Sequence, residues 1–320
     1  MLADVSTTSA PAVPELPSHP LTGREVSLRH GAYTASVVTV GGSLRSLEHD
    51  GRPLVVASPV DALRPVFRGA LLAPWPNRVV DGRYAFDGES EQLPLTEPDR
   101  GHALHGLLGW ADWQVVSVDE DTAALSTELA PSAGYPHRLV VECVYALSDG
   151  GLTTTVIAST LSGRAPYGVS AHPYLTAGGA SLDATVLTLP ADRFIETEGE
   201  RLLPAGERDV SGAPWPDFRE PTPIGSAQVD HAFTGLRRDD AGMATVRLEG
   251  PDGFAVEMAW GPELEWVQVH TADRPEPELD RAGLAVEPMT CPPDAFNSGE
   301  GLVVLEDGQR HTACWRISAG

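Results

Sequence analysis

Four short segments of this 320-residue chain hold side chains able to grip oxygen or move a proton. The first, Ala73-Pro-Trp-Pro-Asn77-Arg78, is a proline-stiffened bend ending in a guanidinium, whose planar fork suits hydroxyl or carboxylate oxygens. Gly101-His102-Ala-Leu-His105-Gly106 is the second, with two histidines three apart. On a helix they could ligate a metal, but the flanking glycines argue against a helix, and no His-Glu-x-x-His or Cys-x-x-Cys accompanies them. The expectation is a ligand-contacting or packed turn histidine and no metal site. The third segment is Ser170-Ala-His172-Pro-Tyr174, a histidine at a strand end, where Pro173 restricts His172 to extended backbone and so aims its imidazole. In the fourth, Leu284-Ala-Val-Glu287-Pro-Met-Thr-Cys-Pro-Pro-Asp294-Ala-Phe-Asn297, a glutamate follows apolar strand and precedes proline. Its carboxylate is expected at the mouth of the core, where partial burial raises the pKa toward that of a general base. Each segment also has a purely structural reading: a surface arginine, a packed histidine, a salt-bridged glutamate.

Composition narrows the chemistry further. With 45 acidic against 22 basic residues the net charge is -23, which disfavours nucleic acid and anionic membrane surfaces as partners. All 22 basic residues are arginines. Without a lysine amine, Schiff-base aldolases, pyridoxal-phosphate enzymes, P-loop proteins and kinases are excluded, and acid–base work falls to carboxylates and histidines. Cys143, Cys291 and Cys314 are too few and too widely spaced for a disulfide framework or a zinc knuckle, which sets a cytoplasmic location as the default. The proline-rich start has no arginine and no apolar run long enough for a signal peptide or a membrane span, so residues 1–22 are expected to be a disordered tail and 23–320 a single domain.

What must position the four segments is a β fold. Runs of β-branched residues with period-two alternation, such as 138–147 and 152–157, read as half-buried strands. Further strands are expected at 33–40, 53–57, 113–119, 184–189, 244–249, 254–260, 264–270, 302–305 and 312–317. Asp-Gly pairs at 50–51, 81–82, 87–88, 149–150, 252–253 and 307–308 read as hairpin turns. No amphipathic helix of normal length intervenes, which argues for an all-β sandwich or barrel. Residues 193–230, rich in proline and charge, read as long loops.

Taken in order, the segments resemble the aldose 1-epimerase family, to which galactose mutarotase belongs. The resemblance runs from about residue 25 to the C-terminus. It rests on residues 69–78, on Leu104-His105-Gly106, on His172-Pro173-Tyr174, on Val229-Asp230-His-Ala-Phe-Thr234, and on Glu287-Pro-Met-Thr with Asp294-Ala-Phe-Asn297. Leu107 and His102 stand where the family commonly has a glycine and an asparagine, so the chain looks like a less-characterised bacterial branch. The resemblance implies a large antiparallel β-sandwich of the galactose mutarotase-like supersandwich type. It implies Glu287 as catalytic base, His172 as catalytic acid, and Arg78, His105 and Asp230, with Asn77 and Tyr174, as sugar contacts. It also implies a hexose substrate, a monomer or homodimer, and no metal or organic cofactor.

Three other readings compete. A hexose-6-phosphate 1-epimerase would need arginines around the phosphate, for which Arg237-Arg238 is the candidate. A glycosidase would need two carboxylates across the bond, and Glu287 with Asp230 could supply them. A non-catalytic carbohydrate-binding protein would have no need of a poised histidine and glutamate.

Overall fold

The computed structural model describes residues 20–320. The expected tail lies outside the described residues as far as residue 19. At its other end Thr22 belongs to the fold: it is buried, its hydroxyl donates to the Val60 carbonyl at 2.8 Å, and its carbonyl accepts from Val40 N at 3.1 Å.

Strand makes up about half of the chain and helix about 5 %, so the all-β expectation holds. The α-helix among the described residues is a single turn, Ala295–Ser298. Three antiparallel sheets dominate. A four-stranded sheet is built from Glu25–His30, Tyr33–Val38, Ser43–His49 and Arg52–Pro53. A nine-stranded sheet runs Gln114–Val118, Thr122–Leu129, Leu139–Ser148, Gly151–Thr160, Arg310–Ala319, Ala255–Trp260, Ala244–Glu249, Val186–Thr188, Thr222–Pro223. The six-stranded sheet runs Tyr174–Leu175, Leu284–Met289, Trp266–His270, Asp230–Leu236, Ala191–Glu198, Leu203–Asp209.

Four of the Asp-Gly pairs close hairpins. Asp50-Gly51 and Asp87-Gly88 have positive φ at both residues, the geometry whose twist matches that of the flanking strands. Asp149-Gly150 and Asp252-Gly253 likewise join neighbouring strands. Asp81-Gly82 and Asp307-Gly308 do not: each links strands of different sheets. Besides the two-residue strand Thr222–Pro223, the region read as long loops takes in most of Ala191–Glu198 and all of Leu203–Asp209. These two longer strands are neighbours in one sheet. They form the outer edge of the six-stranded sheet, where every residue of the last strand is at least partly exposed, and charge is therefore compatible with pairing.

One apolar cluster joins the three sheets, from Val37 and Leu47 through Val256, Met258, Trp315 and Ile317 to Val267, Val269, Leu284 and Val286. Within the six-stranded sheet the side-chain period of two then decides what faces away from that cluster. In Trp266–His270, Val267 and Val269 point to the core, which leaves Gln268 and His270 on the other face. In Leu284–Met289, Leu284 and Val286 point to the core, leaving Ala285, Glu287 and Met289 opposite.

Candidate active site

The face of the six-stranded sheet turned away from the core forms one wall of a cleft. Register aligns Gln268 with Glu287 and Asp230 with His270, so four polar residues from three neighbouring strands share that face. Glu287 is not at the mouth of the core, as its sequence context suggests, but mid-strand and 2 % exposed. Gln268 Nε2 donates to Asp230 Oδ1 at 2.7 Å, while the Gln268 Oε1 has no partner.

Loops supply the opposite side. His172 sits between two short strands, its N–H donating to Ala70 O at 2.9 Å and its carbonyl accepting from Gly69 N at 2.8 Å. Its Nε2 lies 3.4 Å from Glu287 Oε1, with both side chains buried. Tyr174 stacks on the His172 ring, with centroids 5.1 Å apart and planes inclined by 9°, and donates its hydroxyl to Val66 O at 3.4 Å. His105 adopts φ 61°, held by its N–H to Asn77 O at 2.8 Å, and packs edge-on to His172 at 5.2 Å.

Arg78 is spent differently from its sequence reading. Its fork closes on Glu97, Nε to Oε2 at 2.7 Å and Nη2 to Oε1 at 3.0 Å, and Arg100 joins the same carboxylate at 2.8 Å. That leaves Nη1, which donates to Asn77 Oδ1 at 3.4 Å, with a second N–H for a ligand. The Asp294-to-Asn297 segment works from behind: Asp294 N donates to Arg78 O at 2.8 Å and its Oδ1 accepts from Val80 N at 2.9 Å.

The cleft so formed is lined by Phe67, Asn77, Arg78, Glu97, His105, His172, Asp230, Gln268, His270, Arg274 and Glu287, among others. Its volume is about 290 Å³. Burial pushes the Glu287 carboxyl well above the usual carboxylate range, with the Asp230 charge adding to the rise. Burial also pushes His172 down, to about 3, and His105 well below its ordinary value. Asp230 behaves oppositely: burial works against its charge, but His270, Arg78 and the Gln268 bond outweigh it and hold its carboxyl low. Burial thus disfavours the charged form of both Glu287 and His172, beside an Asp230 carboxyl whose charged form is favoured. Such a pair can give a proton at one point of a ligand and take one at another.

Glu287, His172, Arg78, His105, Asp230 and Asn77 therefore converge on one cleft. Tyr174, expected at the sugar, lies one layer back, under His172. His102 is outside the cleft: fully buried, its Nδ1 accepts from Asp81 N at 3.2 Å and its Nε2 donates to Arg201 O at 2.9 Å. His231 packs on Trp215, 4.5 Å between centroids. Arg237 pairs with Asp192 at 2.7 Å and Arg238 donates to backbone carbonyls, so neither lines the cleft as a phosphate site. The sequence reading missed Gln268, His270, Glu97 and Arg274. The first two had a signal, polar residues at alternate positions of an otherwise apolar strand; the loop residues Glu97 and Arg274 had none. His105, His172 and Glu287 also place ligand atoms within 4.8 Å of one another, a donor set chemically suited to a divalent cation.

The fold is an antiparallel sandwich of the galactose mutarotase-like class, with Glu287 and His172 in contact and buried in its cleft. Residues 24–318 match the model of the aldose 1-epimerase family, and the chain belongs to that family. It is 36 % identical to the Escherichia coli protein YihR over 92 % of this chain and 93 % of that one. To the aldose 1-epimerase of Escherichia coli it is 28 % identical, over 71 % of each. Among solved structures, a GalM/aldose epimerase homologue from C. elegans superposes with a TM-score of 0.81 at 17 % identity, over 92 % of this chain and 98 % of that one. The galactose 1-epimerase of Lactobacillus acidophilus does so with 0.77 at 20 %, over 92 % and 94 %.

Proposed function

We propose that the chain is an aldose 1-epimerase that interconverts the α and β anomers of a free hexose, with Glu287 and His172 as the acid–base pair. The observation that carries this is their contact, Nε2 to Oε1 at 3.4 Å, at the buried floor of the cleft. Mutarotation opens the hemiacetal ring, turns the C1 carbonyl over and closes it on the other face. Opening takes one proton from the C1 hydroxyl and gives one to the ring oxygen. A pair that carries one proton can do both at once: with that proton on His172, Glu287 takes one from the C1 hydroxyl as His172 gives its own to the ring oxygen, and closure reverses the roles. Each positioned group contributes about 10² to 10⁴ in rate, so this bond needs no metal or organic cofactor. Arg78 Nη1, His105, Asp230 and the free Gln268 Oε1 would hold the sugar's oxygens.

Polarimetry on fresh α-glucose and α-galactose tests the reading, with an acceleration over buffer expected for one of them. No acceleration, together with no binding of either sugar, would refute it. A second reading, a hexose 6-phosphate as substrate, is favoured by Arg274, an exposed guanidinium at the cleft lined also by Arg100. Faster exchange of glucose 6-phosphate than of glucose would select it.

A further inference from the structure

The cleft that the polar sheet residues line also has a surface of opposite character. Val66 and Phe67 line the cleft from a three-residue turn, Pro65–Phe67, in which Val66 has φ 44° and ψ 44° and Phe67 has φ 56°. Consecutive bulky residues in the left-handed region, one of them β-branched, persist only where the surroundings impose them. Two buried arginines flank the turn and impose it. Arg64, 5 % exposed, donates to Val40 O at 3.0 Å and also to Ser43 Oγ and Gly109 O. Arg68, 7 % exposed, donates to Ala57 O at 3.2 Å through its side chain and to Pro65 O at 2.9 Å through its backbone. Neither meets a carboxylate among the described residues: Arg64 holds two backbone carbonyls and a serine hydroxyl, while Arg68 holds one carbonyl, its Nε and Nη2 being buried without a partner. The Phe67 carbonyl is fixed as well, by Ala70 N at 2.9 Å. The Phe67 ring that results lies 4.8 Å from His105 and 5.6 Å from Trp110, which is half exposed and has Arg64 over its own ring at 4.5 Å.

We propose that Phe67 is a specificity-determining residue, the aromatic wall against which the carbon–hydrogen face of the sugar ring lies; this rests on reading the cleft as a sugar site. A pyranose has that division built in, with hydroxyls around its edge and C–H bonds on its faces. Asp230, Gln268, His270 and Glu287 would take the edge and Phe67 the face. The wall discriminates between epimers because an axial hydroxyl turned toward Phe67 would lose water and find no partner. It also makes no hydrogen bond that would have to break while the C1 carbonyl turns over.

Phe67→Leu keeps an apolar side chain and removes the flat ring. On the best of D-glucose, D-galactose and D-mannose, KM should rise about three- to tenfold with kcat changed less than twofold, the signature of lost uniform binding. The ratio of kcat/KM between epimers should shrink. Sugar titration followed by tryptophan emission, to which the half-exposed Trp110 contributes, should shift its midpoint by the same factor. Should Phe67→Leu fail to fold in a thermal melt, Phe67→Met carries the same expectation. Wild-type KM and an unchanged epimer ratio in the folded variant would overturn this inference while leaving the epimerase reading intact. A wild-type protein that neither binds nor exchanges any hexose would overturn both.

Discussion

Replacing Glu287 by glutamine keeps the shape of the side chain and removes the group that exchanges a proton. Its Oε1 is 3.4 Å from His172 Nε2, its Oε2 has no partner, and Asp230, the other carboxylate on that sheet face, is tied to Gln268 at 2.7 Å and held ionised. No neighbour on the wall is therefore free to substitute. Loss of one positioned base corresponds to about 10² to 10⁴ in kcat, or about 2.7 to 5.4 kcal/mol at about 1.36 kcal/mol per decade. The fold should respond in the opposite direction. Burial holds the Glu287 carboxyl well above its unfolded value, and a group raised in this way favours the folded state only below the unfolded pKa; the advantage is lost as pH climbs through the folded one. At pH near 8 the wild type thus bears a cost that glutamine lacks. Glu287→Gln should melt higher than wild type there, and the gap should close as the pH approaches about 4. Saturation-transfer NMR between the C1 protons of the two anomers measures exchange at equilibrium, and thermal melts across the same pH range measure the fold. Near wild-type exchange would remove Glu287 from the mechanism. A lower Tm at high pH would mean that its charge is compensated in place.

His172→Asn should lower kcat by a comparable factor of about 10², and the double variant with Glu287→Gln should lose far less than the product of the single losses, because a base without its acid has little left to do. Full multiplicativity would put the two residues in separate steps. Arg78→Lys keeps the charge but cannot reproduce the two bonds to Glu97, at 2.7 and 3.0 Å, so kcat/KM should fall at least about tenfold; an unchanged value would place Arg78 outside the working cleft. Glu97→Gln should reproduce much of that loss and lower stability by about 3 kcal/mol in a urea titration, since it strands a buried guanidinium. Activity should survive dialysis against a chelator, while added zinc should inhibit in competition with sugar, through His105, His172 and Glu287. Loss on dialysis restored by one metal would turn these three residues into the ligands of a cofactor.

How far the sequence speaks depends on how each residue is held. Glu287 and His172 are legible because proline follows each, and a strand or extended segment precedes, so local backbone rules already restrict where they point. Gln268 and His270 are legible in principle, as polar positions alternating with Val267 and Val269, but alternation alone does not say whether the polar face meets solvent or a cleft. Here Arg78, His105 and His172 cover it, from loops distant in sequence. Residues 193–230 misled for a related reason: charge at an edge strand and charge in a loop look the same one residue at a time, and only pairing with Asp230–Leu236 separates them.

The partners of the site's charges are the least legible of all. Arg78 reads from sequence as a fork aimed at ligand, because its own segment offers no acid to close it. Glu97 lies nineteen positions further along, in a loop without periodicity, and reaches Arg78 because the Arg78–Val79 strand pairs with Ala103–Leu104 and the chain between them turns back through the Glu97–His102 bridge. The same closure carries His105 to Asn77 O and leaves His102 facing Arg201. One hairpin-like return thus decides three readings at once: which of two histidines three residues apart enters the cleft, which becomes structural, and how much of the arginine is left for a ligand. A change that lengthens this return, such as an insertion between Glu97 and His102, should therefore disturb Arg78 and His105 together while sparing the Glu287–His172 contact, which is held by the six-stranded sheet on one side and by the Gly69 and Ala70 backbone on the other.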